Sequence, residues 1–281
     1  MPELPEVETV CRTIRHALEG KKIAHVEVAA DSIVFGAAKP KAIESALLGR
    51  TLKAVGRRGK FFWLTLSGEG PTVFAHLGMS GWVREVGLEG TRLHGHGSAP
   101  FEDEHGRPRF LKLGLATRAG SGIVLTDPRR LGRVWLGPSA EQDPRVKRLG
   151  PDAFEALPSA KELLALFARR KIPIKAVLLD QGALAGIGNW LADEVLYQSR
   201  IAPQRVASSL STAEVAALRR AIVSVLARAV KVSADHKKFP KTWLFEHRWG
   251  GSRGSQKIAG QPIVREEVGG RTTAWVPSRQ R

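Results

Sequence analysis

The hydrophobic period of the chain changes between Leu136 and Pro158, and that change limits the kinds of domain it can build. Before it, short alternating runs at Ile23 to Val28, Phe61 to Leu66, Thr72 to Ala75 and Gly122 to Thr126 lie between Gly, Ser, Pro and basic turns. This is the pattern of half-buried antiparallel strands. After it, apolar residues recur at helical spacing, and Ser159 with Glu162 and Ser211 with Glu214 form capping-box signatures ahead of two such runs. From about Lys241 the composition turns again, to Gly- and Arg-rich hairpin sequence carrying Trp243, Trp249 and Trp275. No internal repeat is evident. The reading is α+β: an N-terminal antiparallel β-sandwich with flanking helices over 1–136, a linker over 137–153, a mainly helical domain over 154–240 and a C-terminal β-hairpin over 241–281.

The first eleven residues predict a helix. Pro5 suits its first position, early acids suit its dipole, and Val7, Val10, Cys11, Ile14 and Leu18 form one apolar stripe ending at Gly20. The same residues can carry chemistry. An initiator methionine followed by a small residue is ordinarily trimmed, which leaves Pro2 with a secondary amine of pKa roughly 8, against about 10.4 for lysine. Attack of that amine on a sugar aldehyde gives an iminium that is cationic from the outset and acts as an electron sink. Glu3 and Glu6 stand beside it as acid, base or ion-pair partners. Taken alone, the segment fits a plain helix start equally well.

A net charge of +17, from 44 Lys and Arg against 27 Asp and Glu, points to a polyanionic partner without distinguishing an enzyme from a binding protein. There is no long uncharged apolar run, and the acidic start lacks the features of a signal peptide, so the expected address is intracellular, with a nucleic acid and not a membrane as partner. The one cysteine, Cys11, excludes an intrachain disulfide and a cysteine zinc cluster, and its place on the apolar stripe predicts a buried, inert thiol.

Four internal stretches bear on function. Arg57-Arg58-Gly59-Lys60 reads as a basic turn. In His76-Leu77-Gly78-Met79-Ser80-Gly81, a methionine between small residues on a turn is an exposed, unbranched apolar chain able to wedge into a base stack. Asp127-Pro128-Arg129-Arg130-Leu131-Gly132 is a second such loop. In Lys175 to Glu194, Gly186-Ile187-Gly188 between two apolar helical runs can bring backbone amides against a phosphate, with Asn189 as an added donor.

In order and over nearly the whole chain, these motifs resemble those of the Fpg/Nei (formamidopyrimidine-DNA glycosylase) family. The resemblance implies Pro2 as nucleophile, Glu3 in proton transfer, Glu6 ordering both, and Lys60 on a phosphate beside the lesion. It implies that Met79, Arg129 and Leu131 fill the hole left by a flipped nucleotide, Arg129 facing the orphaned base and Leu131 stacking behind it where many relatives carry an aromatic. The helical domain resembles a helix-two-turns-helix element in which Lys175 and Asn189 grip phosphate. The tail resembles a hairpin finger with Arg271 at its tip. Most members hold that finger with four cysteines; the aligned positions here are Gln256, Ala259, Val276 and Arg279, which resembles the zincless finger of plant-type relatives and implies neither metal nor cofactor.

The implied function is a monomeric, bifunctional DNA glycosylase and abasic-site lyase acting on oxidised purines in double-stranded DNA. Two alternatives stand beside it: a Nei-like enzyme for oxidised pyrimidines, and a catalytically silent damaged-DNA-binding protein of the same fold. Only about Val232 to Pro240 separates the second long helix from the finger. Relatives that excise 8-oxoguanine well carry a longer loop there, so the resemblance implies a truncated lid, with weak excision of 8-oxoguanine beside good activity on formamidopyrimidines, hydantoins and abasic sites.

Overall fold

The computed structural model describes residues 2–88, 101–249 and 256–281. Met1, and the Gly250 to Ser255 start of the expected finger, lie outside the described residues. The chain divides into two compact units, Met1–Arg148 with Ser233–His236 and Leu149–Val232 with Lys237–Arg281.

The first unit runs α1 (Leu4–Leu18), β1 (His25–Val28), α2 (Ser32–Phe35), α3 (Pro40–Leu47), β2 (Leu52–Arg58), β3 (Phe61–Leu66), β4 (Thr72–His76), β5 (Trp82–Glu85), β6 (Leu111–Ala116), β7 (Gly122–Thr126), β8 (Arg133–Gly137) and α4 (Pro144–Lys147). Its strands form two four-stranded antiparallel sheets, β1-β6-β7-β5 and β2-β3-β4-β8. Alternation decides which side chains meet: Phe62, Leu64 and Leu66 of β3 join Leu113, Leu115, Ile123 and Leu125 of the other sheet in one core. The predicted stripe of α1, Val7, Val10, Cys11, Ile14 and Leu18, lies in that same core. The opposite face of β3 presents Phe61 and Trp63 to a smaller cluster of Phe74, Trp135 and Val146.

Three details differ from the sequence reading. Leu4 and not Pro5 is the first helical residue, because Glu3 takes the N-cap position. The strand expected from Ile23 begins at His25; Ile23 is fully buried ahead of it. The stretch expected as linker is folded in part: Asp143 caps α4 by accepting the Arg145 and Val146 amides and receives the Trp135 indole N–H at 2.9 Å.

The second unit contains α5 (Ala160–Ala168), α6 (Ile174–Leu179), α7 (Asn189–Ser199), α8 (Thr212–Lys231), the short pair β9 (Lys257–Ile258) and β10 (Gln261–Pro262), and the hairpin β11 (Val264–Val268) with β12 (Arg271–Trp275). Both predicted capping boxes form. The Glu162 amide donates to Ser159 Oγ and the Ser159 amide to Glu162 Oε2, and Ser211 with Glu214 repeats the arrangement. Fully buried Leu191, Val195 and Leu196 of α7 and Val215, Leu218 and Ile222 of α8 supply the core between these two helices. The β11–β12 hairpin packs on α7 and closes through Gly269 and Gly270, with φ of 64° and 71°. Two consecutive left-handed residues make the tight hairpin turn that only glycine adopts without cost, and they bring Arg271 directly after the bend.

Candidate active site and DNA-binding surfaces

The chemistry of the first unit centres on the start of α1. Pro2, Glu3 and Glu6 are all buried. Glu6 Oε2 accepts the Glu3 amide at 3.0 Å, so one carboxylate both caps the helix and fixes the backbone next to Pro2. Burial first, then the neighbouring Glu3 charge, pushes the Glu6 carboxyl up to about 7.

A second acid, Glu8, ties this helix to the turn between β2 and β3. Its Oε2 takes Arg57 Nε at 3.0 Å, and its Oε1 takes Arg12 and Arg15. The Arg57 side chain is wholly buried and also donates to the Gly59 carbonyl. The basic turn is therefore anchored from within, and Lys60 at its apex is itself largely buried, not a freely solvated side chain.

His76, which the sequence reading did not single out, pairs in register with Phe61, next to Lys60. Its Nδ1 accepts the Gly78 amide at 3.1 Å, and its ring stands edge-on to Phe61. Burial, then the Lys60 and Arg133 charges, pushes the imidazole down to about 4. It is therefore neutral near pH 7 with its proton on Nε2, a donor beside a cation. A histidine on the strand next to Lys60 was the available signal.

Met79 and Leu131 are 43% and 40% exposed, and Arg129 is exposed on the same loop as Leu131. Buried Asp127 couples the two loops: it accepts the Ser80 hydroxyl at 2.6 Å, the Gly132 amide at 2.7 Å and the Arg129 amide at 3.2 Å. Gly78 lies so close that a Cβ there would stand 2.3 Å from the Leu131 carbonyl carbon, and its φ of 62° further restricts the position to glycine. Arg130 turns away, with φ of 56°, and grips Asp31 through two nitrogens at 2.9 and 3.0 Å. This bond, opposed by burial and assisted by Lys112, holds the Asp31 carboxyl well below the usual carboxylate range. Arg129 and Leu131 are thus displayed while Arg130 anchors the loop.

In the second unit the structure corrects one assignment. Lys175 is completely buried, with Nζ 2.6 Å from Asp193 Oδ1 and 2.7 Å from Thr273 Oγ1. Asp193, also completely buried, receives Arg248 at 2.6 Å and the Ala274 amide at 3.2 Å. Lys175 is therefore part of the join between α6, α7 and the hairpin, and cannot reach a phosphate from there. Asn189 begins α7 and donates its side-chain amide to the Thr272 carbonyl at 2.9 Å, one residue beyond exposed Arg271. Neighbouring Glu194 is buried and pushed up to about 7 by desolvation, while accepting the Phe245 amide.

Two family models match this chain: the formamidopyrimidine-DNA glycosylase N-terminal domain over residues 1–134 and the formamidopyrimidine-DNA glycosylase H2TH domain over residues 149–241. The chain belongs to the formamidopyrimidine-DNA glycosylase family. Among relatives of that name, one from Arabidopsis thaliana is 38% identical over 281 residues, covering all of this chain and 71% of the relative. One from Moorella thermoacetica is 40% identical over 232 residues, or 82% and 78% of the two chains. A solved Lactococcus lactis formamidopyrimidine-DNA glycosylase, non-covalently bound to DNA containing an abasic site, matches with a TM-score of 0.80 at 26% identity, covering both chains fully. Membership places the chain among the DNA glycosylases of base excision repair.

At the four tail positions that the resemblance sets against finger cysteines, the side chains present do not make a zinc-ligand set. Gln256 accepts from Arg265, Ala259 has no donor side chain, Val276 is fully buried in the hairpin core, and Arg279 lies 4.4 Å over the Tyr197 ring. No thiolate or imidazole stands among them. Packing joins the hairpin to α7 instead, through Tyr197, Leu244, Ile258, Ile263, Ala274 and Val276.

Proposed function

We propose that this chain is a bifunctional glycosylase and abasic-site lyase that removes formamidopyrimidines and hydantoins, excises 8-oxoguanine weakly, and cuts abasic sites by β- and δ-elimination. The observation that carries the reading is the buried cluster of Pro2, Glu3 and Glu6 at the start of α1. With Met1 removed, the Pro2 nitrogen attacks C1′ as the glycosidic bond breaks, Glu3 assisting proton transfer between sugar and departing base. The amine sheds its proton, the C1′–O4′ bond opens with O4′ taking up a proton, and the resulting iminium acidifies the C2′ proton. Its loss expels the 3′ phosphate, a second elimination expels the 5′ phosphate, and water then frees the amine. Glu6 positions Glu3 through the amide bond described above.

Met79, Arg129 and Leu131 suit the space vacated by an extruded nucleotide, two apolar wedges beside a fork of donors. Lys60, with His76 beside it, suits a phosphate next to the lesion, and Arg271 with Asn189 suits a further phosphate. Borohydride reduction on an abasic duplex tests the reading. The mature protein should crosslink to DNA, and Pro2→Gly should lose both crosslinking and strand cleavage. Equal trapping by Pro2→Gly would assign the nucleophile to another amine.

A further inference from the structure

The second unit contains a cavity of about 480 Å³ between the end of α7, the β9–β10 turn and the segment 278–281. Its size is that of a small-molecule site, for which roughly 300 to 1,000 Å³ is usual. Its charge is unusual: Arg200, Arg279 and Arg281 line it, and no acidic residue does. Among the described residues none of the three guanidiniums has a carboxylate partner.

The side chain of Arg279 is held in place, and the backbones of the other two are tied together. Arg279 stacks on the Tyr197 ring at 4.4 Å and donates Nε to the Tyr197 carbonyl at 3.3 Å, which fixes the guanidinium plane and leaves its terminal nitrogens for other acceptors. Arg200 and Arg281 are joined through the backbone: the Arg281 amide donates to the Arg200 carbonyl at 3.0 Å, and the Ala202 amide to the Arg281 carbonyl at 2.9 Å. This brings Arg200, at the left-handed end of α7, and Arg281 close together along the cavity wall. Arg200 also holds φ of 61°, a conformation in which glycine is the ordinary residue at a helix C-terminus. One arginine is accounted for by the α7 dipole. Three arginines lining one concavity with no Asp or Glu side chain are not.

We propose that this cavity is an anion site that binds a phosphate group, held by Arg279 from one wall and by the Arg200 and Arg281 pair from the other. Two sources offer that chemistry, a nucleic-acid backbone and a free phosphate compound. The site shares no residue with the catalytic assignments above, so it stands or falls independently of them.

The test uses the full chain at low salt with pyrophosphate, AMP and an undamaged duplex as probes. Phenylglyoxal modification of the unmutated protein, mapped by mass spectrometry, should show Arg200, Arg279 and Arg281 protected by at least one probe. Arg200→Gln/Arg281→Gln should weaken binding of the protecting probe by roughly tenfold or more, as expected for losing charge-assisted hydrogen bonds, with single-turnover cleavage of abasic DNA unchanged. Protection by the duplex, with a log-log salt slope flattened by about 0.9 per lost contact, identifies a strand backbone as the source. Protection by AMP or pyrophosphate alone identifies a free phosphate compound. Unchanged modification rates with all three probes overturn the proposal, and need no variant to fold.

Discussion

Ser80 donates its hydroxyl to Asp127 at 2.6 Å across a separation of 47 residues, and through that bond the turn carrying Met79 is fixed to the loop carrying Arg129 and Leu131. Asp127→Ala leaves the Gly132 amide, the Arg129 amide and the Ser80 hydroxyl without their acceptor. The expected loss of stability is about 2–4 kcal/mol. More specifically, single-turnover excision from duplex DNA should fall by roughly tenfold or more, because the wedges no longer enter the stack as a unit. Cleavage of a single-stranded abasic oligonucleotide, which has no stack to hold open, should stay near the unmutated rate. Equal losses on both substrates, measured well below the melting temperature, would remove the coupling role.

Salt dependence separates the cations proposed to meet phosphate from one paired inside the fold. Lys60→Ala and Arg271→Ala should each flatten the log-log plot of duplex affinity against salt by about 0.9. Lys175→Ala should leave the slope unchanged and lower stability by about 1–3 kcal/mol, since it removes one charge-assisted partner of the buried Asp193 carboxylate and leaves it to Arg248 and the Ala274 amide. A flattened slope for Lys175→Ala in a normally stable protein would return that residue to the phosphate contacts.

Glu6 makes stability depend on pH in a stated direction. Its carboxyl is raised from 4.5 to about 7, so the neutral form is favoured in the folded protein. The associated stability is fully present below about pH 4.5 and is lost as pH rises through about 7. The displacement corresponds to roughly 3 kcal/mol. Glu6→Gln keeps an acceptor for the Glu3 amide without the charge, so it should match the unmutated protein near pH 4 and exceed it in stability by up to about that amount near pH 8. Denaturant titrations at the two values decide it. A difference that stays constant between them would mean that Glu6 does not titrate in this window.

The segment between α8 and the tail is short, and on residues 236–238 it forms a single 3-10 turn. With few residues available to cover an extruded purine, 8-oxoguanine opposite cytosine should be excised more slowly than a formamidopyrimidine opposite cytosine, whose poorer stacking offsets the missing contacts. Equal single-turnover rates on matched duplexes would assign recognition of 8-oxoguanine to other residues.

Chelation supplies an independent check on the finger. Prolonged treatment with a strong zinc chelator should leave duplex binding and strand cleavage unaltered, because Gln256, Ala259, Val276 and Arg279 present no zinc-ligand set. A stoichiometric metal found in the purified chain, with activity lost on its removal, would contradict this.

The sequence was most legible where the signal is local. The capping pairs Ser159 with Glu162 and Ser211 with Glu214 lie three residues apart and mark their helices correctly, and alternation marked the strands at Phe61 to Leu66 and Gly122 to Thr126. Partnerships made across the fold were not legible. Arg57 finds Glu8 at a separation of 49 residues, and Asp127 finds Ser80 at 47. No periodicity records such pairs. Lys175 was expected on phosphate through the resemblance, and its burial was signalled by the otherwise apolar run Ile174 to Leu179, the setting of a buried charge whose partner must come from elsewhere.

The sulfur content of the chain decides where an oxidant can do damage. Cys11 is completely buried, and the four finger positions hold no sulfur, so peroxide has no thiolate clasp to open. The chain has two methionines, and the one among the described residues is Met79, exposed at the tip of its turn. Conversion of that thioether to a sulfoxide makes an exposed apolar side chain polar and leaves the buried core untouched. An oxidant would therefore alter the side chain proposed above as a wedge before it loosened the fold, and a methionine sulfoxide reductase would reverse the change.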